Sequence, residues 1–261
     1  MMQITQFRKL KIVAVGLVCL CTAFINGQTP IKVWMIGDST MCDYESSRAP
    51  LTGWGMPFAG FFTADVELNN RAKGGRSTRT FIAEKRWSNV SDSLSKGDYV
   101  LIQFGHNDAA KGEKYKERYT SVADYKTNLA RFIKESRAKN AIPVLITPVS
   151  RLSFDKSDHA KETHTEYTAA VYEVAKAYDV PLIDLDRDSR AMYEKMGPLA
   201  AKKLFMQLEP GVHPNYPEGK KDNTHFNEFG ARKIAQLVLS EMKKQQLDLC
   251  NYIVQPKATK K

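Results

Sequence analysis

Five short apolar segments, each ended by glycine, aspartate or another turn residue, constrain this chain more than any other feature. Ile31-Lys32-Val33-Trp34-Met35-Ile36 stops at Gly37-Asp38-Ser39. Val66-Glu67-Leu68 is a shorter candidate. Tyr99-Val100-Leu101-Ile102-Gln103-Phe104 is introduced by Gly97-Asp98 and closed by Gly105, and Ile142–Thr147 and Val180–Asp184 complete the set. Runs this short and this continuously apolar predict strands buried on both faces, the mark of a parallel sheet. Helical periods lie between them: Val122, Tyr125, Leu129, Phe132 and Ile133 share one face, as do Tyr167, Ala170, Val171, Val174 and Tyr178, and Ile234, Leu237, Val238 and Met242. Strand and helix in alternation predict an α/β domain of three layers, α/β/α, with ligand-binding loops at the carboxyl ends of the strands.

The 261 residues are 43% hydrophobic and 26% charged, which excludes a wholly disordered or collagen-like chain. Arg8, Lys9 and Lys11 precede an uncharged apolar run from Ile12 to Ile25, so residues 1–27 read as a secretory signal peptide and 28–261 as a single domain. The run is shorter than the roughly 20 apolar residues that cross a bilayer. The protein is therefore expected to be exported, to the periplasm or the extracellular space. The net charge of +10 favours anionic partners. Of the four cysteines, Cys19 and Cys21 fall inside the apolar run, leaving Cys42 and Cys250, whose pairing sequence alone does not decide.

Candidate chemistry gathers at the strand ends. Ser39 in Gly37-Asp38-Ser39-Thr40 is placed to be a nucleophile, or simply to cap the following turn. Asp222-Asn223-Thr224-His225 stands just before the last helical period, where a carboxylate three residues from a histidine can hold the imidazole in one tautomer; helix capping explains the same residues. Two turns offer hydrogen-bond donors for a developing oxyanion: Asn70–Ser77, with Gly74-Gly75, and Gly105-His106-Asn107-Asp108. His159, His164 and His213 fall in no catalytic or metal-binding pattern. The chain has no H-E-x-x-H, no G-x-x-x-x-G-K-[ST] and no G-x-S-x-G, which removes support from zinc-protease, P-loop and ordinary α/β-hydrolase readings.

Together, Gly37-Asp38-Ser39, Gly75, Gly105-His106-Asn107-Asp108 and Asp222-Asn223-Thr224-His225 resemble the four blocks of the SGNH (GDSL-type) hydrolase superfamily. Thr40, Gly53-Trp54-Gly55 and Gly74-Gly75-Arg76-Ser77 resemble more narrowly its rhamnogalacturonan acetylesterase branch. The resemblance implies a mainly parallel, flavodoxin-like five-stranded sheet and a serine esterase that needs no metal or organic cofactor. It implies Ser39, Asp222 and His225 as catalytic residues, with Ser39, Gly75 and Asn107 forming the oxyanion hole. Asp38 and His106 are expected to brace the loops. Trp54 and Arg76 are expected to touch substrate, Trp54 stacking on a sugar and Arg76 meeting a carboxylate, although an aromatic in a loop suits the core equally well and an arginine suits solvent. The implied partner is an acetylated, acidic cell-wall polysaccharide, most naturally rhamnogalacturonan. Acetylated xylan or small and lipid esters are the alternative substrates, and a non-catalytic polyanion-binding protein is the rival class. Nucleic acid is disfavoured, because the basic residues are scattered and no recognition motif accompanies them.

Overall fold

Each of the five apolar runs becomes a parallel strand. The computed structural model describes residues 30–255. The expected signal peptide, and the Lys-rich tail beyond Gln255, lie outside the described residues. The strands are β1 (Ile31–Gly37), β2 (Val66–Asn70), β3 (Tyr99–Gln103), β4 (Ile142–Ile146) and β5 (Leu182–Ile183), joined in the order β2-β1-β3-β4-β5. This is the doubly wound, flavodoxin-like order. The register aligns Val33 with Tyr99 and Ile36 with Ile102, so the ends of β1 and β3 open onto a common rim.

Side chains alternate across the sheet as the pleat requires. Val33, Met35, Leu101, Val144 and Ile146 enter one core, and Trp34, Ile36, Val100, Ile102 and Leu145 the other. The second core is covered by α1 (Thr78–Ala83), α2 (Arg86–Ser91), α3 (Val122–Ala138) and α4 (Thr165–Tyr178). The first is covered by α5 (Leu185–Met196), the short α6 (Pro198–Ala201) and α7 (Glu228–Lys244), together with Trp54 and Phe58. The apolar periods in the sequence face the sheet: Tyr125, Leu129, Phe132 and Ile133 of α3 and Ile234, Val238 and Met242 of α7 are all buried. Among the described residues no helix is long and apolar enough to cross a membrane. Cys42 and Cys250 are both free.

One element was not expected. Residues placed by the sequence in the approach to the last helix form an antiparallel pair, β6 (Phe205–Leu208) with β7 (Lys220–Phe226). The helix itself starts later, with Asn227 as its cap accepting the Gly230 N–H at 3.0 Å. Two backbone contacts fasten β7 to loops beside the large sheet: Leu152, after β4, donates its N–H to Asn223 O at 2.8 Å, and Thr52 donates to Phe226 O at 2.9 Å. Asn227 donates to Leu204 O at 3.1 Å, which joins the cap of α7 to the residue before β6. The buried rings of Phe205 and Phe226 pack 5.0 Å apart beneath the pair.

The first turn of α7 lies so close to Leu204 that a side chain on Gly230 would overlap the Leu204 carbonyl and Cα. Gly230→Ala is therefore expected to destabilise the protein by about 1–3 kcal/mol. Gly60→Ala, where the added methyl meets nothing within 4 Å, should leave the melting temperature unchanged. Thermal unfolding of the two variants beside wild type checks this; equal melting points would show that the close approach does not constrain the hairpin.

Candidate active site

The turn after β1 is built around a buried carboxylate. Asp38 Oδ1 accepts the Thr40 N–H at 3.0 Å and the Thr40 hydroxyl at 2.8 Å. Its carbonyl accepts the N–H groups of Met41 and Cys42 at 3.3 and 3.1 Å. Oδ2 stands 3.4 Å from His106 Nδ1, an ion-pair separation. Burial pushes the Asp38 carboxyl upward, but the His106 charge and the Thr40 hydrogen bonds outweigh it and hold the group down at about 2. The residue between these anchors, Ser39, is presented at the mouth of the turn.

Ser39 Oγ lies 2.9 Å from His225 Nε2, across 186 residues of sequence. On the far side of the ring, His225 Nδ1 lies 2.8 Å from Asp222 Oδ2. Asp222 Oδ1 accepts the N–H groups of Thr224 and His225 at 2.8 and 3.1 Å. Partial burial raises the Asp222 carboxyl, yet hydrogen bonding and charge from His225 and the two backbone donors bring it down to about 2. An ionised carboxylate only accepts, so the Nδ1 proton points at Asp222 and Nε2 is left to accept from the serine hydroxyl. This is the arrangement by which a hydroxyl becomes a nucleophile at neutral pH.

Donors converge on the same place. Lys73 donates its N–H to Gly37 O at 3.0 Å, which pins the loop after β2 to the end of β1. A side chain on Gly74 would come within 3.7 Å of Ser39 Cβ. Gly75 adopts φ +79°, a conformation that favours glycine. Asn107, buried after β3, uses one amide hydrogen on Arg76 O at 3.0 Å and keeps a second to donate. Ser39, Gly75, Asn107 and His225 line one cavity of about 940 Å³. No other described residue accepts from the Ser39 or Gly75 N–H.

Residues 35–232 match the GDSL-like Lipase/Acylhydrolase family. The chain belongs to that family. It is accordingly a carboxylic ester hydrolase. It is 41% identical over 226 residues to rhamnogalacturonan acetylesterase RhgT of Bacillus subtilis (strain 168), covering 86% of this chain and 95% of that one. It is 34% identical over 224 residues to the probable rhamnogalacturonan acetylesterase YesY of the same organism, covering 85% and 97%. The crystal structure of protein YXIM from Bacillus subtilis superposes with a TM-score of 0.73 at 27% identity, over 84% of this chain but only 58% of that one.

Two expected substrate contacts sit differently from expectation. Trp54 is fully buried and offers no ring face to a sugar, so its assignment is corrected to the core. Its Nε1–H donates to Gln103 Oε1 at 2.6 Å, and Gln103 Nε2 donates in turn to Thr40 Oγ1 at 3.0 Å. The flanking glycines are needed because Gly53 and Gly55 lie against the backbone of Met41 and Cys42. Arg76 lines the cavity, but its Nε is engaged by Glu84 at 3.1 Å and its Nη1 by Gly74 O at 2.9 Å. His164, which the sequence left without a role, also lines the cavity, its ring 4.2 Å from that of His106.

Asp108 completes the turn after β3 from the inside. Its Oδ1 accepts the Thr78 N–H at 2.9 Å and the Thr78 hydroxyl at 2.6 Å, while Oδ2 meets no donor among the described residues. Burial dominates these bonds and pushes the carboxyl up to about 7. The folded state thus keeps this proton to higher pH than the unfolded chain, which releases it near 3.8. The group's contribution to stability falls as pH rises from about 4 to about 7 and is level above that. Asp108→Asn, with no proton to lose, should abolish this component of the slope. Melting temperatures across that window check it, and a variant with the wild-type slope would refute the assignment.

Proposed function

We propose that this chain is an exported esterase that removes O-acetyl groups from an acidic plant cell-wall polysaccharide, in the first instance rhamnogalacturonan. The observation that carries the reading is the Ser39–His225–Asp222 relay opening into a cavity whose wall holds six cationic side chains and only two carboxylates, Asp43 and Glu45. A rhamnogalacturonan backbone carries a carboxylate in every repeat, so its electrostatics complement that wall. The named activities of RhgT and YesY support the same substrate. The apolar run near the amino terminus, with its preceding basic residues, supports export to where such polymers are met.

In this reading Ser39 Oγ attacks the acetyl carbonyl while His225 Nε2 takes the hydroxyl proton and Asp222 stabilises the imidazolium. The carbonyl oxygen becomes anionic and is held by the N–H groups of Ser39 and Gly75 and by the Asn107 amide, each donor contributing about 3–4 kcal/mol to lowering the barrier. His225 returns the proton to the departing sugar oxygen. Water, deprotonated by the same imidazole, then attacks the acetyl-serine, releasing acetate and restoring the hydroxyl.

Acetate release from acetylated pectic oligosaccharides, acetylated xylan and small aryl and long-chain esters tests the reading. Wild type is expected to prefer the pectic substrate and Ser39→Ala to fall to background on all of them. Equal rates for wild type and Ser39→Ala would remove the serine mechanism, and a preference for long acyl chains would remove the polysaccharide. Asp222→Asn should keep the fold but lower kcat on the order of 10³–10⁴-fold, since the amide stabilises neither the tautomer nor the imidazolium. Steady-state kinetics of the folded variant decides this, and an unchanged kcat would exclude Asp222 from the relay.

A further inference from the structure

The cavity holds more buried donors than the protein itself uses. Four buried side-chain nitrogens of its wall have no partner among the described residues: Nε2 of His106, Nε2 of His164, and Nε of Arg118 and of Arg151, His106 Nδ1 being turned toward Asp38. Buried polar groups without partners are rare in native proteins, and a concentration of them in one cavity marks where a ligand supplies the acceptors.

Among the described residues only these two arginines have a buried Nε without a hydrogen-bond partner. Arg76, Arg86, Arg131, Arg187, Arg190 and Arg232 are all paired with carboxylates. Arg118 and Arg151 have no carboxylate within 4.0 Å among the described residues. Arg48, Arg71, Arg79 and Arg137 also lack a carboxylate, but Arg79 and Arg137 donate to backbone carbonyls and Arg48 and Arg71 lie over the rings of Tyr44 and Trp34. The Arg118 guanidinium lies over the Tyr115 ring, 4.3 Å from its centroid. It is beside the reacting centre, because a side chain on Gly75 would meet Arg118 Nη1 at 3.8 Å. Arg151 follows β4, and its backbone N–H is held by Thr163 Oγ1 at 3.1 Å. The same Thr163 hydroxyl contacts His164 Nδ1 at 3.0 Å, so Arg151 and His164 are organised by one residue.

We propose that Arg118 and Arg151 bind the carboxylate groups of a uronate-containing ester and thereby set the enzyme's preference for acidic over neutral acetylated sugars. The proposal rests on the acidic-polysaccharide reading above and assigns its specificity to two residues on loops that the sequence did not single out. Guanidinium is suited to the task because its planar fork meets a carboxylate with two parallel hydrogen bonds, whereas an ammonium acts as a point charge. Arg76, the residue expected from sequence, is tied by its Nε to Glu84 and by its Nη1 to Gly74 O.

The test compares acetate release from an acetylated, galacturonate-containing oligosaccharide with release from its carboxyl-reduced counterpart, and reads the ratio of the two kcat/KM values. Wild type should favour the acidic form, with a preference that shrinks as salt is added. Arg118→Gln and Arg151→Gln should each lower the ratio roughly tenfold or more, chiefly through KM, since each removes a hydrogen bond to a charged group. Arg→Lys at either position should recover part of the loss. Arg131→Gln, whose partner Glu135 lies on α3 away from the cavity, should keep the ratio. A wild-type preference retained by both glutamine variants overturns the arginine assignment and leaves the substrate reading standing. A wild type that does not favour the acidic form overturns both. Should the glutamine variants fail to fold, a ratio unmoved by Arg→Lys and by salt overturns the assignment.

Discussion

The geometry of the reacting centre depends first on Asp38, a carboxylate buried beneath the residue it presents. A turn that must hold a hydroxyl in one place needs its backbone donors engaged, and Asp38 engages four donors of Thr40, Met41 and Cys42 with one side-chain oxygen and one carbonyl. Burying such a charge is costly unless it is compensated, and the compensation here comes from His106, on the loop after β3. This contact therefore stitches the loop that carries Ser39 to the loop that carries Asn107. Once those loops are coupled, the hydroxyl and the amide donor cannot drift independently.

A second layer makes this arrangement directional. The Trp54 indole can only donate, so it fixes Gln103 with its oxygen toward the ring and its amide hydrogens toward Thr40. The Thr40 hydroxyl, accepting from Gln103, is left to donate to Asp38. The proton positions of three buried side chains follow from one donor that has no alternative. This explains why a tryptophan in a loop is wholly buried, and why Gly53 and Gly55 flank it: the indole reaches Gln103 only if the chain passes hard against the Met41–Cys42 backbone.

The sheet was legible because its central strands β1, β3 and β4 are buried on both faces, and their apolar runs are nearly uninterrupted. The three loops at the ends of β1, β2 and β3 followed from that, and with them the positions of Ser39, Gly75 and Asn107. The β6–β7 pair was not legible. In β7 only Phe226 is buried, and Lys220, Lys221 and Asn223 are exposed, so no alternation of apolar and polar side chains announces a strand. Trp54 was misread because an aromatic between glycines looks the same whether the glycines permit a sugar or a backbone to approach. Arg118 and Arg151 carried no signal at all, since an arginine acquires meaning only through the carboxylates that are or are not near it in space.

The hidden strand bears on how the centre forms. The Ser39–His225 hydrogen bond joins partly exposed groups, the imidazole being 28% accessible, and bonds of this kind contribute only about 1 kcal/mol. That is too little to gather two segments 186 residues apart, so the approach must be imposed by something stronger. The backbone bonds from Thr52 and Leu152 to β7, and the Phe205–Phe226 contact beneath it, supply that constraint. His225 is delivered by a strand fastened on either side of it, at Asn223 and Phe226, and Asp222 rides on the same strand three residues away. A largely polar strand, anchored through Phe226 in the first core and through its backbone to the neighbouring loops, thus fixes the reactive geometry, which is a consequence of that attachment, not its cause.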